Sequence, residues 1–243
     1  PTFWCRQDKG DERSGEIPHY GCLMTNVLKV GLAQLNPKVG DVAGNLAKVR
    51  AARAQAASQG AALVLYPETV LSGYPAEDLV LKPAFQKACH EAVEALRADT
   101  LDGGPALFVT TPWREGDKLH NAIIALDKGE IIGKRFKVDL PNYGVFDDKR
   151  IFAPGPMPGP LVFNGVRIGV PICEDIWNLG NNPLYRNCPM DELIRQQPDF
   201  MLNISASPFD YDHDDDRKEV IRANVRKYQL PMFYCNAVGS QTE

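Results

Sequence analysis

The stretch GPLVFNGVRIGVPICEDIW (159–177) carries the two readings on which the fold turns. Its first half is an apolar run, a turn at Asn164–Gly165 and a second apolar run, a strong two-residue β-hairpin signal. Its second half is a strand pattern that passes Pro171 and delivers Cys173 directly ahead of Glu174, Asp175 and Trp177. Acids beside a thiol raise its pKa and weaken it as a nucleophile. Cys173 is therefore either a buried structural thiol or a reactive one, activated by charge brought from elsewhere in the chain.

Outward from this stretch, strands and helices alternate. VLKVGLAQL (27–35) reads as a strand, and 45–59 as a helix with Leu46, Val49, Ala52 and Ala56 on one face. AALVLYPE (61–68) reads as a buried strand ending at Pro67 and Glu68. Residues 84–97 are helical, with Phe85, Ala88, Ala92 and Leu96 aligned and Cys89 in the core. ALFVTTPW (106–113) is the next strand, and NAIIALDKGEIIGKRF (121–136) is a hairpin turning at Asp127–Lys128–Gly129. A strand in DFMLNISASP (199–208), a helix over 214–228 and the strand MFYCNAVG (232–239) complete the pattern. Strand–helix alternation with added hairpins indicates α/β layers, helices covering a mixed sheet. With no linker after Met24, residues 24–243 read as one domain. Residues 1–23 are polar and without period, and read as a poorly ordered, loosely attached leader or added remnant.

The 243 residues are 44% hydrophobic and 24% charged, enough for one large globular domain. A net charge of −4 leaves no basic stripe for nucleic acid and no polybasic membrane patch. No apolar run approaches the roughly 18 residues of a spanning helix, and the N-terminus lacks the apolar centre of a secretory signal. The six cysteines, Cys5, Cys22, Cys89, Cys173, Cys188 and Cys235, form no C-x-x-C pair. That disfavours a zinc ribbon and fits reduced thiols in a cytoplasmic protein.

Three polar residues sit at the ends of apolar strand patterns: Glu68, Lys137 and Cys173. Residues just beyond strand C-termini gather at the ligand crevice of α/β sheets, so these three could converge. Glu68 could then take the thiol proton, while a Lys137 ammonium and the Glu174 N–H stabilise a developing oxyanion. On the residues alone, a capping glutamate, a surface lysine and a buried cysteine fit these positions better. A Cys–His pairing is the competing chemistry; of His19, His90, His120 and His213, only His120 stands near a strand end. DYDHDDD (210–216) resembles a calcium loop but has Asp215 and Ile221 where an EF-hand needs Gly and Glu. Asp214–Asp216 read better as the acidic opening of a helix, and no metal site is expected. No Gly-rich phosphate loop occurs, and APGPMPGP (153–160) reads as a rigid surface loop.

Taken together, GLAQLNPKVGDVAGN (31–45), YPETVLSGYPAEDLVL (66–81), KVDLPNYGVFDDKRIFAPG (137–155), VRIGVPICEDIW (166–177) and NISASPF (203–209) resemble the nitrilase (carbon–nitrogen hydrolase) superfamily. SGYPAEDL and CEDIW resemble in particular its glutaminase branch, the N-terminal domain of glutamine-dependent NAD(+) synthetases. The resemblance implies an α-β-β-α sandwich, here truncated near its C-terminal end. It implies Glu68 as general base, Lys137 as oxyanion-stabilising cation and Cys173 as nucleophile. It places Tyr143, Phe146, Glu174, Ser205 and Arg217 around bound glutamine, and puts Asp148 where many relatives carry glutamate. The implied reaction turns glutamine into glutamate and ammonia through a thioester, without a cofactor. ATP and Mg belong to a C-terminal synthetase domain, which the resemblance implies is absent from this chain and would be its partner, in a homo-oligomer. A free-standing amidase and an inactive docking fragment are the alternatives.

Overall fold

The computed structural model describes residues 3–6, 27–179, 184–185, 188–208 and 213–239. Its strands are β1 (Phe3–Arg6), β2 (Val27–Leu32), β3 (Leu63–Leu65), β4 (Ala106–Glu115), β5 (Lys118–Asp127), β6 (Glu130–Phe136), β7 (Leu161–Phe163), β8 (Val166–Gly169), β9 (Phe200–Ser205) and β10 (Met232–Asn236). Its helices are α1 (Val42–Ser58), α2 (Pro83–Asp99), α3 (Asp148–Ile151), α4 (Pro189–Arg195) and α5 (His213–Tyr228).

Period-2 alternation sorts the strand residues into layers. In β3, Leu63 and Leu65 face one side with Phe108 and Ile123, while Val64 faces the other with Leu107 and Ile124. The first set meets Phe163, Ile168, Leu202 and Ile204 of a second sheet, so the main core lies between two sheets. The second set is covered by Val49 of α1 and by Val93 and Leu96 of α2. On the far side, Leu193 of α4 and Ile221 of α5 pack against Met201 and Met232. The order is helix, sheet, sheet, helix, the expected α-β-β-α sandwich.

One sheet runs β1-β2-β3-β4-β5-β6 and the other β10-β9-β8-β7. The first has a parallel centre, β2–β3–β4, flanked on both sides by antiparallel strands; in the second, β8–β9–β10 are parallel and β7 joins β8 antiparallel. The two expected hairpins form, and their turns, Lys128–Gly129 and Asn164–Gly165, hold both central residues at positive φ. Helix α1 begins three residues earlier than its apolar face suggests, because the Asp41 carboxylate caps it by accepting the Gly44 N–H at 2.9 Å.

Three features depart from the sequence reading. Strands β4 and β5 form a further hairpin through Glu115–Lys118, hidden because its tip is wholly polar. Helix α4 was too short to show a period. Phe3–Arg6, expected in a loose leader, pairs antiparallel with β2 from Phe3↔Val30 to Arg6↔Val27. Its aromatic run suits an edge strand, but four residues carry no pattern. The rest of the leader and residues 209–212, which open the acidic run, lie outside the described residues. Among the described residues, no helix is long and apolar enough to cross a membrane.

Candidate active site

Three strand ends bring the triad together. Tyr66 and Pro67 carry the chain from β3 to Glu68, β6 runs directly into Lys137, and β8 continues through an Ile172↔Ile204 bridge to Cys173. Glu68 is 0% and Lys137 1% exposed, which removes the reading of a surface lysine. The Lys137 Nζ donates to Glu68 Oε1 at 2.8 Å and to Asp148 Oδ2 at 2.7 Å. Cys173 lies in the field of both Glu68 and Lys137. It sits at φ 43°, a strained left-handed conformation for a residue with a side chain. Such strain, about 1–3 kcal/mol, persists only where surrounding structure holds it.

A second set of groups fixes the first. Glu68 accepts from Asn121 Nδ2 at 2.7 Å and from the Ala206 N–H at 3.1 Å. Tyr74 donates its hydroxyl to Asp148 Oδ1 at 3.0 Å, orienting the carboxylate that holds Lys137. Asp175 answers the question posed by the acids after Cys173. Its Oδ1 accepts the N–H groups of Val138 and Asp139 at 3.0 and 2.8 Å, and its Oδ2 accepts that of Ile172 at 3.0 Å. It thus braces the segment after Lys137 against the turn bearing Cys173. The Glu174 carboxylate accepts from Tyr143 at 2.9 Å and from Tyr185 at 2.7 Å.

Electrostatics then set the protonation states. Burial, followed by the charge of Glu68, holds the Cys173 thiol well above its ordinary value despite Lys137. The resting sulfur is therefore a thiol, and the Glu68 carboxylate is the charge that raises it most after burial. Burial pulls Lys137 down, but Glu68 and Asp148 outweigh it and keep the ammonium charged. Burial raises Asp148 and Glu174, and pushes Asp175 up to about 6 against its three backbone donors.

A groove of ≈ 970 Å³ has a lining that includes Tyr74, Phe146, Ala206, Ser207 and Arg217, but none of Glu68, Lys137 and Cys173. Tyr143 and Phe146 stack edge to face at 5.5 Å beside it. Ser205 is buried, with its hydroxyl donated to Asn203 at 2.8 Å, and Arg217 donates to the Pro208 carbonyl at 2.6 Å. His120 is held by the Ala153 carbonyl at 2.8 Å and stacked on Phe136. The groups acting on Cys173 are Glu68, Lys137 and Glu174. No cluster of metal-ligating side chains forms among the described residues.

Asn121, Tyr74 and Asp175 were not singled out from the sequence. Asn121 had one local signal, a polar residue heading the apolar strand AIIAL. Asp139 is a further buried carboxyl, pushed up to about 8 by burial and then by Asp175 and Glu174. Its Oδ2 has no hydrogen-bond partner among the described residues. Between the ordinary 3.8 and about 8 the folded chain keeps this proton and the unfolded chain does not, so stability falls as pH rises through that window. Asp139→Asn is expected to stabilise the fold, by on the order of 1 kcal/mol at pH 8 after solvent screening. The gain should grow from pH 4 to 8 and level off above; a pH-independent difference in thermal unfolding would contradict it.

The carbon–nitrogen hydrolase family model matches residues 29–182 of the chain. The glutamine-dependent NAD(+) synthetase of Rhodobacter capsulatus is 37% identical over 220 residues, covering 90% of this chain and 38% of that protein. The Thermotoga maritima protein of the same name is 36% identical, over 89% of this chain and 36% of its own length. The chain therefore spans less than two-fifths of these relatives. A solved glutamine-dependent NAD+ synthetase from Acinetobacter baumannii superposes with a TM-score of 0.80 at 31% identity, over 88% of this chain and 39% of that one. An amidase of the nitrilase superfamily from Nesterenkonia shares the fold, with a TM-score of 0.75 at 24% identity over 88% of this chain and 78% of its own. With its sandwich and its buried Glu, Lys and Cys converging at three strand ends, the chain belongs to the carbon–nitrogen hydrolase family.

Proposed function

We propose that this chain is a glutamine amidohydrolase domain that supplies ammonia to an ATP- and Mg-dependent synthetase domain for the amidation of deamido-NAD(+). The observation that carries the hydrolytic chemistry is the buried Glu68–Lys137 ion pair, whose two charges both act on the buried thiol of Cys173. Glu68 takes the thiol proton as Sγ attacks the amide carbon. The carbonyl oxygen becomes an oxyanion held by the Lys137 ammonium and the Glu174 N–H. Collapse breaks the C–N bond, Glu68 returns the proton to the departing nitrogen, and ammonia leaves behind a γ-glutamyl thioester. Water, deprotonated by Glu68, releases glutamate and regenerates the thiol. None of these steps calls on a cofactor.

The relatives' names, together with SGYPAEDL and CEDIW, support glutamine as the amide and the synthetase domain as the partner. Four free thiols among the described residues fit a cytoplasmic setting, and the sandwich fold fits assembly as a homo-oligomer. A free-standing amidase is the second reading, because the Nesterenkonia fold match extends over 78% of that enzyme. Ammonia release from glutamine, asparagine and propionamide separates the two. Glutamine is expected to be preferred by at least about a hundredfold in kcat/KM; equal rates on propionamide would favour the simple amidase.

A further inference from the structure

Helix α5 buries an asparagine in a stretch whose neighbours are apolar. Val220, Ile221 and Tyr228 of this helix pack into one cluster with Ile176, and Asn224, between them in sequence, is fully buried. Asparagine is a poor helix former at interior positions. Its Oδ1 here has no hydrogen-bond partner among the described residues, a further loss for a buried polar atom. An amide kept under these terms needs a reason other than helix stability. Its Nδ2 supplies one. It donates to the Val220 carbonyl at 2.9 Å, one helical turn back, and to the Ile176 carbonyl at 2.8 Å. Ile176 ends the short turn that begins at Cys173.

That turn holds the nucleophile at φ 43° and presents the Glu174 N–H to the developing oxyanion. The Asp175 carboxylate fixes its start through the Ile172 N–H, which leaves its end to be fixed from α5. We infer that Asn224 is a positioning residue for the reaction, clamping the end of this turn so that Cys173 Sγ and the Glu174 N–H meet the amide group in register. The inference rests on the hydrolytic reading proposed above and deepens it. The spacing within α5 supports it, because Arg217, Ile221 and Asn224 stand four and three residues apart and share one face. Arg217 and Ile221 line the groove while Asn224 reaches the turn. A single helix face therefore sets groove and nucleophile relative to each other. The Lys227 Nζ extends the attachment, donating to the Leu179 carbonyl at 3.0 Å.

The test replaces Asn224 with leucine, which nearly keeps the volume, suits the apolar neighbours and removes the amide. The thermal unfolding midpoint should move by only a few degrees. The kcat for glutamine should fall on the order of 10- to 100-fold, as for a misplaced reacting group, with KM within about threefold. Asn224→Ala, which installs the strongest helix former, should give the same split and decides the matter if the leucine variant does not fold. An unaltered kcat, whether or not stability falls, would mean that Asn224 only supports the fold and would overturn the inference. A loss carried by KM alone would overturn it as well. Alkylation of Cys173 by iodoacetamide, read by peptide mass mapping, gives a readout that needs no turnover. If the wild-type protein fails to hydrolyse glutamine, the glutaminase reading falls, and the labelling rates decide the positioning role by themselves. Labelling slower by about tenfold or more in Asn224→Leu then upholds it, and equal rates overturn it.

Discussion

Replacing Cys173 with serine is expected to lower amide hydrolysis at least about a thousandfold while the sandwich persists. The thiol is already held well above its ordinary value by burial and by Glu68, so ionisation is the difficult step. A hydroxyl at the same place is harder still to deprotonate, and Lys137 is committed to two carboxylates. The oxygen nearly matches the sulfur in shape, and the φ of 43° is retained by either side chain. Thermal unfolding should therefore move by no more than a few degrees. Hydrolysis continuing at an unaltered rate would remove Cys173 as the nucleophile.

Lys137→Ala removes the fixed cation and has two separable consequences. Loss of an oxyanion donor costs about 3 kcal/mol of transition-state stabilisation, a fall of 10² to 10³ in kcat. Removing the ammonium also leaves Glu68 and Asp148 buried without the charge that lies 2.8 and 2.7 Å from them. Breaking a buried pair in this way destabilises by about 3–5 kcal/mol. Both losses should be seen in one variant, kcat from steady-state rates and stability from denaturant unfolding. A rise in KM with kcat intact would instead assign Lys137 to substrate binding alone.

The layers were legible because local pattern and tertiary role coincide in this chain. Val64 alternates with Leu63 and Leu65, Leu46 and Val49 recur on one helical face, and Asn164–Gly165 specifies its own turn. Glu68, Lys137 and Cys173 were legible as residue types at strand ends, but their convergence was not. It depends on parallel pairing of β3 with β4, of β8 with β9, and on how the two sheets stack. Those contacts are long-range, and on strand ends alone the inert alternative outweighs the triad. The braces were less visible still. Asp175 acts on backbone N–H groups 36 and 37 residues away, and Tyr74 on a carboxylate 74 residues away. No spacing rule within a single element reports such bonds. Phe3–Arg6 shows the opposite limit, an edge strand whose pairing exists although its four residues have no periodicity.

The most direct measurement is covalent labelling with a glutamine-shaped diazo-ketone, read by peptide mass mapping. It tests the activated thiol and the assembled pocket together, without requiring turnover. Cys89 and Cys235 are buried and raised by burial, and Cys188 is tied to the Asn178 carbonyl, whereas Cys173 lies in the field of both the Glu68 carboxylate and the Lys137 ammonium. Modification of Cys173 alone among the six cysteines, blocked by excess glutamine, is the expected result. Modification spread over several cysteines, or modification of Cys173 that glutamine does not block, would contradict a glutamine-specific cysteine nucleophile at this site.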